Sequence, residues 1–353
     1  MKKEVELAIG SIPPLDLRLR DEAQKHLDSL TKPRGSLGRL EEFARDYLVM
    51  RGDLSIRVRE KAVIVFASDH GVVEDGVSAY PKDVTHQMVL NFLAGGAAIN
   101  VISRHTGSRV YVVDIGVDHD FGDVPGLVHA KISRGTRNMA VGPAMDRKQA
   151  VAAMQEGYAL AQKLADEGVD LVAPGDMGIG NTTASSAIAA VFTGKPVTAV
   201  TGRGTGIDDD THAHKVAVIE RAIQVNRPDP KDPLDVLSKV GGLEIAGIAG
   251  LVIGAAIRRI PVVLDGFIST AGGLAAYEMD NRVRDYLFAA HRSVEIGHAA
   301  MLERLELTPF VDLSMRLGEG TGASIGMDLI QLGVEIFHDM ATFESAGVSD
   351  KDD

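Results

Sequence analysis

The sequence predicts an α/β fold: a Rossmann-like, mostly parallel sheet with helices on both faces, beside a small helical domain formed by both chain ends. Three observations point there. Short β-branched runs alternate with longer segments of helical period, the pattern of a parallel sheet covered on both sides. Most of the runs end in glycine and polar residues, as strand-to-helix turns do. The first 60 residues and the C-terminal segment are rich in periodic leucine or isoleucine and favour helix.

In chain order, Leu15, Leu17, Leu19, Leu27, Leu30, Leu37 and Leu40 sit in a charged, helix-favouring background that continues through residues 41–50. Strands are expected at 62–66, 110–114, 171–173, 197–200, 262–265 and 286–289; the last could also continue a helix. Between them, residues 211–225 place Val216, Ile219, Ala222 and Ile223 on one stripe. Residues 324–344 carry Ile325, Leu329, Leu332 and Ile336 at helical spacing. Chain termini often lie close together. Residues 1–60 and 310–353 are therefore expected to form the small domain and residues 61–309 the sheet domain. The polar, acidic tail 345–353 is expected to fray.

Composition narrows the function. Of 353 residues 45% are hydrophobic, enough for a sizeable core, and the net charge of −12 repels polyanions on average. Aromatics are 5% and Trp is absent, which leaves little for stacking nucleic-acid bases. A phosphate site must then be local and built largely from backbone amides. The absence of Cys removes disulfides and thiolate chemistry and fits a reducing compartment. The N-terminus, Met1 to Glu4, leads into no signal-peptide pattern, and the longest apolar run, 246–257, is far short of the roughly 20 residues of a membrane span. The expectation is a cytoplasmic protein.

The chemistry is expected at the strand ends. In open α/β sheets ligands bind beyond the carboxyl ends of the strands. A single glycine there usually serves only the turn; five such ends together suggest one cleft. Residues 175–183 follow a strand and open a helix whose free amides suit an anion. This loop matches neither the P-loop nor the dinucleotide fingerprint. Residues 202–206 form a second glycine-rich loop, with Lys215 one turn into the next helix. Asp208, Asp209, Asp210, His212 and His214 could suggest a metal, but acids at a helix start complement its dipole and need none. Asp69-His70-Gly71 could serve acid–base chemistry, although a His after a strand is more often structural. Asp265-Gly266 superficially resembles the diphosphate-sugar loop of common phosphoribosyltransferases, with Gly266 in place of a second acid. In residues 316–322, Glu319 stands between glycines with no helix or strand duty; a solvated loop carboxylate and a carboxylate aimed into a cleft are equally open.

Together these loops carry a resemblance. Residues 30–40, 69–71, 76–81, 87–93, 95–100, 178–183, 202–206, 265–266 and 317–322 resemble, in order and over nearly the whole chain, the nicotinate-nucleotide–dimethylbenzimidazole phosphoribosyltransferases, which make the α-ribazole phosphate of cobalamin. The resemblance implies a homodimer with no metal or cofactor. Glu319 is then the catalytic base. Ser78, Tyr80, Gln87, Met177 and Leu317 form the pocket for the acceptor base. Asp176, Gly178, Gly180, Asn181, Gly202, Gly204, Lys215 and Asp265 lie along the nucleotide and its phosphate. One departure is visible: the family pattern has Glu where this chain has Asp176. Outside the resemblance, a Mg²⁺- and diphosphate-sugar-dependent transferase, a metal phosphohydrolase built on Asp69, His70 and Asp208–Asp210, and a non-catalytic nucleotide sensor remain as alternatives.

Overall fold

The computed structural model describes residues 9–204 and 206–349. Met1 to Glu4, Thr205 of the second glycine-rich loop, and residues 350–353 of the tail lie outside the described residues. Helices α1 (Leu17–Ser29) and α2 (Arg39–Arg51) lead into β1 (Lys61–Ser68). Then come α3 (Val84–Leu93), α4 (Ala98–Thr106), β2 (Ser108–Gly116), β3 (Leu127–His129), α5 (Arg147–Asp166) and β4 (Leu171–Met177). The chain continues through α6 (Asn181–Thr193), α7 (Asp209–Asn226), α8 (Pro233–Val240), α9 (Leu243–Ile257), β5 (Val262–Leu264), α10 (Phe267–Met279), β6 (Leu287–Ala289), α11 (Ile296–Leu305) and α12 (Thr321–Asp339).

The six strands form one sheet in the order β3-β2-β1-β4-β5-β6, parallel throughout. Every residue of β1 is buried, as a central strand covered on both faces requires. Phe66 packs toward Gly247 of α9 on one face, and Val63 toward Gly320 at the start of α12 on the other. Helix α9 is apolar on every side and buried over nearly its whole length, because it lies between the sheet and α5. That accounts for the apolar run 246–257. The helices meet at backbone distance: a Cβ on Gly157 would lie 1.9 Å from Gly247 O. Among the described residues no helix is long and apolar enough to cross a membrane.

Two expectations about strands are corrected. Residues Val197–Val200 form a helical turn, not a strand. Pro196 introduces it at φ −55, and the more buried positions are Val197 and Val200, three residues apart, as a helical turn demands. The 202–206 loop therefore follows a turn and not a strand end. Conversely, β3 went unpredicted. It has three residues, follows Gly126 at φ +88, occupies the sheet edge and buries only Leu127 fully, too little pattern to read. The helix expected at 324–344 ends at Asp339, and Phe343–Ala346 form a separate turn capped by Thr342.

The two chain ends meet. Thr31 N donates to Ala341 O at 2.9 Å, His26 Nε2 lies 2.7 Å from Phe337 O, and Arg57 pairs with Asp339. Gly333 of α12 brings that helix against Leu40 O, where a Cβ would lie 2.6 Å away.

Candidate active site

From β1 the chain builds outward to β2 and β3, then returns to place β4 on the other side of β1. Such a reversal leaves a crevice beyond the carboxyl ends of β1 and β4. A cleft of about 330 Å³ opens at this end of the sheet, with Tyr80, Met177, Asn181, Gly204, Glu295 and Leu317 in its wall.

Beside β4 the sheet is opened for the turn that carries Glu319. The pairing of β4 with β5 stops at Val172, whose N–H reaches Pro261 O. Pro174 points to the same edge two residues on, so its missing N–H removes no ladder bond. Into the gap comes the 318–320 turn. Gly318, Glu319 and Gly320 all have positive φ, at 87, 62 and 87°. Glu319 is the costly member, since left-handed backbone disfavours residues with a Cβ. Gly175 lets the turn approach: a Cβ there would lie 2.4 Å from Glu319 O. Asp265, fully buried at the end of β5, accepts from Gly320 N at 3.1 Å and Ala323 N at 2.9 Å and so anchors both the turn and the start of α12.

Glu319 is 5% exposed, and its Oε2 accepts from Ile99 N at 3.1 Å, in the first turn of α4. Burial raises its pKa; the Ile99 amide pulls the other way, and Asp265 adds to the rise. The 95–100 segment thus supplies the amide that orients Glu319. Asp176 lies beneath Gly318 and accepts from Asn181 Nδ2 at 2.9 Å. Burial, with Asp265 and Glu244 nearby, holds its carboxyl well above the usual carboxylate range despite the Asn181 bond.

The predicted nucleotide residues converge only in part. Gly178 is packed against the end of the neighbouring β1, since a Cβ would lie 2.2 Å from Ser68 O. Gly180, at φ +96, turns the chain into α6, and Gly178 and Asn181 line the cleft. Gly204 also lines it, and its N–H donates to Glu295 Oε1 at 2.8 Å. Gly202 lies against the other oxygen of that carboxylate. Lys215 is 1% exposed, donates to Thr182 Oγ1 at 2.8 Å, and is pushed down to about 8 by burial, against the pull of Glu295. Of the acceptor set, Tyr80, Met177 and Leu317 share the cleft wall; Ser78 and Gln87 are not in it. Ser78 Oγ accepts from Tyr80 N and shapes that turn, while Gln87 is exposed on α3.

Asp69, His70 and Asp208–Asp210 do not assemble. His70 is buried against Glu244 at 2.7 Å; burial opposes its charge, but the carboxylate outweighs it and raises the pKa. Asp208 caps α7 through Thr211 N, Asp209 pairs with Arg203, and all three acids are exposed. Sequence reasoning missed Thr182, Phe267, His291, Glu295 and Arg316 in the wall. His291 and Glu295 follow β6, the least certain of the predicted strands, and applying the strand-end rule there would have found them.

An all-parallel sheet in this order, with glycine-rich turns, a buried lysine and a strained, buried glutamate at its switch point, defines a Rossmann-like α/β enzyme. The phosphoribosyltransferase family model matches residues 12–348, and the chain belongs to that family. The nicotinate-nucleotide–dimethylbenzimidazole phosphoribosyltransferase of Geobacter sulfurreducens is 60% identical over 345 residues, 98% of each chain. That of Geobacter metallireducens is 61% identical over 340 residues, 96% of each. Among solved structures, the enzyme of the same name from Thermus thermophilus superposes with a TM-score of 0.90 at 45% identity, covering 96% of this chain and 100% of that one.

Proposed function

We propose that this enzyme transfers the phosphoribosyl group of nicotinate mononucleotide to 5,6-dimethylbenzimidazole, giving α-ribazole 5′-phosphate and nicotinate with inversion at the anomeric carbon. One observation carries the assignment of chemistry: a buried carboxylate on a strained Gly-Glu-Gly turn beside a cleft walled by Tyr80, Met177 and Leu317. The full-length kinship supports the substrates.

A benzimidazole nitrogen bonds to the anomeric carbon as the pyridinium C–N bond breaks. The bonding electrons return to the nicotinate ring nitrogen, which leaves neutral, so no metal-bound diphosphate is needed. The second benzimidazole nitrogen loses its proton to Glu319. A base in this position contributes on the order of 10²–10⁴-fold, and the burial that raises its pKa improves its match to that proton. Holding both rings in line supplies much of the rest. Tyr80, Met177 and Leu317 hold the acceptor, with Ser78 and Gln87 behind or at its rim. Gly178, Gly180, Asn181, Gly202, Gly204 and Lys215 hold the nucleotide, while Asp176 and Asp265 fix the loops around it. In this reading the enzyme works as a cytoplasmic homodimer without nucleic acid, metal or cofactor, and residues 1–60 with 310–353 form a small domain beside 61–309. Incubation with nicotinate mononucleotide and a panel of benzimidazoles, purines and phenols, with and without EDTA, tests it by product mass. A nucleotide adduct insensitive to EDTA is expected; the absence of any adduct, or its loss in EDTA, refutes the reading.

A further inference from the structure

Beyond β6 the chain passes His291 and Ser293 to Glu295, immediately before α11. The Glu295 side chain does not cap that helix. It extends to the 202–206 loop, where Oε1 accepts from Gly204 N. A Cβ on Gly202 would lie 2.0 Å from Oε2, so a side chain there would push the carboxylate aside. Oε2 is buried with no hydrogen-bond partner among the described residues. Lys215 is close by: a Cβ on Gly204 would sit 3.1 Å from its Nζ. The ammonium donates to the neutral Thr182 hydroxyl, and Glu295 is the carboxylate whose field it feels.

A loop amide, a buried ammonium, a side-chain-free approach and a water-poor wall are what an incoming anion seeks. Here the Glu295 carboxylate already takes the amide and lies in the field of the ammonium, while one of its own oxygens goes unsatisfied, which costs free energy. We infer that Glu295 is an internal stand-in for the donor's phosphate: the phosphoryl group displaces it from Gly204 N and from the neighbourhood of Lys215, and this competition sets donor affinity. The inference rests on the reading of the donor as a mononucleotide. Two anions cannot share one amide and one ammonium without strong repulsion at low dielectric, so the carboxylate must leave as the phosphoryl group arrives. Arg316, which donates to Gly204 O at 3.1 Å and lines the same wall, offers the displaced carboxylate a new partner. The energy spent on displacement is recovered only by a ligand bearing a phosphate. Glu295 therefore lowers the affinity for phosphorylated ribosides and leaves that for unphosphorylated ones unchanged.

The alternative is that Glu295 merely braces the loop. The two roles predict opposite signs. Calorimetric titration of wild type, Glu295→Gln and Glu295→Ala with nicotinate mononucleotide, inorganic phosphate and nicotinate riboside separates them. Gln keeps the size and an acceptor oxygen for Gly204 but removes the charge. It is expected to bind mononucleotide and inorganic phosphate roughly 5- to 10-fold tighter, the difference between a charged and a neutral competitor for the same amide. The Ala variant gains at least as much, and riboside affinity stays unchanged in both. Unchanged or weaker phosphate affinity in either variant, with the fold verified by circular dichroism, overturns the inference, as does an equal gain for the riboside. If mononucleotide is not turned over by wild type, the functional reading falls separately, while the phosphate titrations still decide the role of Glu295.

Discussion

Gly175→Ala tests whether the position of the Glu319 turn limits catalysis. The added methyl would lie 2.4 Å from Glu319 O, 2.6 Å from Glu319 C and 2.9 Å from Gly320 N. All three are backbone atoms, so no rotamer change relieves the contact. Ordinary van der Waals separation begins at 3.4 Å. The turn must therefore retreat by about 1 Å, a misplacement that can cost on the order of 10²-fold in rate. The Asp265 bonds to Gly320 and Ala323 resist that retreat. Overpacking of this kind costs roughly 1–3 kcal/mol, which in a chain of 353 residues corresponds to a Tm lowered by roughly 1–4 °C. The expected outcome is kcat reduced about 10²-fold with donor affinity, measured by calorimetry, within about twofold of wild type. A variant with wild-type kcat, or one that loses donor affinity in step with rate, would refute the reasoning.

Lys215→Ala is expected to weaken nicotinate mononucleotide binding by roughly 1.5–3 kcal/mol, the worth of a charge-assisted hydrogen bond, and to leave the free benzimidazole unaffected; calorimetry reads both. Because Lys215 is held down to about 8, its charge is present below that pH and lost above it. Donor affinity should fall as pH rises through 8, and that dependence should vanish in Lys215→Met. Tyr80→Ala, at an exposed position in the cleft wall, should raise the acceptor KM more than the donor KM in steady-state kinetics. Asp265→Asn replaces one of two acceptor oxygens under the Gly320 and Ala323 amides. It should lower Tm and kcat while donor affinity stays within about twofold, losing roughly one hydrogen bond to a charged group.

What the residues alone disclosed follows physical lines. Long, fully buried β1 and the glycine-rich loops after β1 and β4 carry strong signals, and the cleft lies where those signals place it. Elements set by tertiary context did not show. Val197–Val200 has strand-like composition, yet Pro196 and one-sided burial make it a helical turn. The three-residue β3 owes its conformation to pairing with β2. Glu319 was visible as a carboxylate between glycines, but the left-handed turn that presents it depends on Gly175 and Asp265, 144 and 54 residues away in the numbering. Asp265, expected along the nucleotide, has its carboxylate committed to the α12 start. Glu295 was within reach of the strand-end rule applied to β6, but its contact with the 202–206 loop shows only in the fold.

The most direct test is single-turnover conversion of nicotinate mononucleotide and 5,6-dimethylbenzimidazole by wild type and Glu319→Gln, with the product resolved by NMR. The Gln side chain keeps an acceptor for Ile99 N but cannot take the proton. Wild type is expected to form α-ribazole 5′-phosphate. The variant is expected to form the same product roughly 10²-fold or more slowly with both substrates bound. A wild-type rate in Glu319→Gln, or a β-configured product from wild type, would contradict the account.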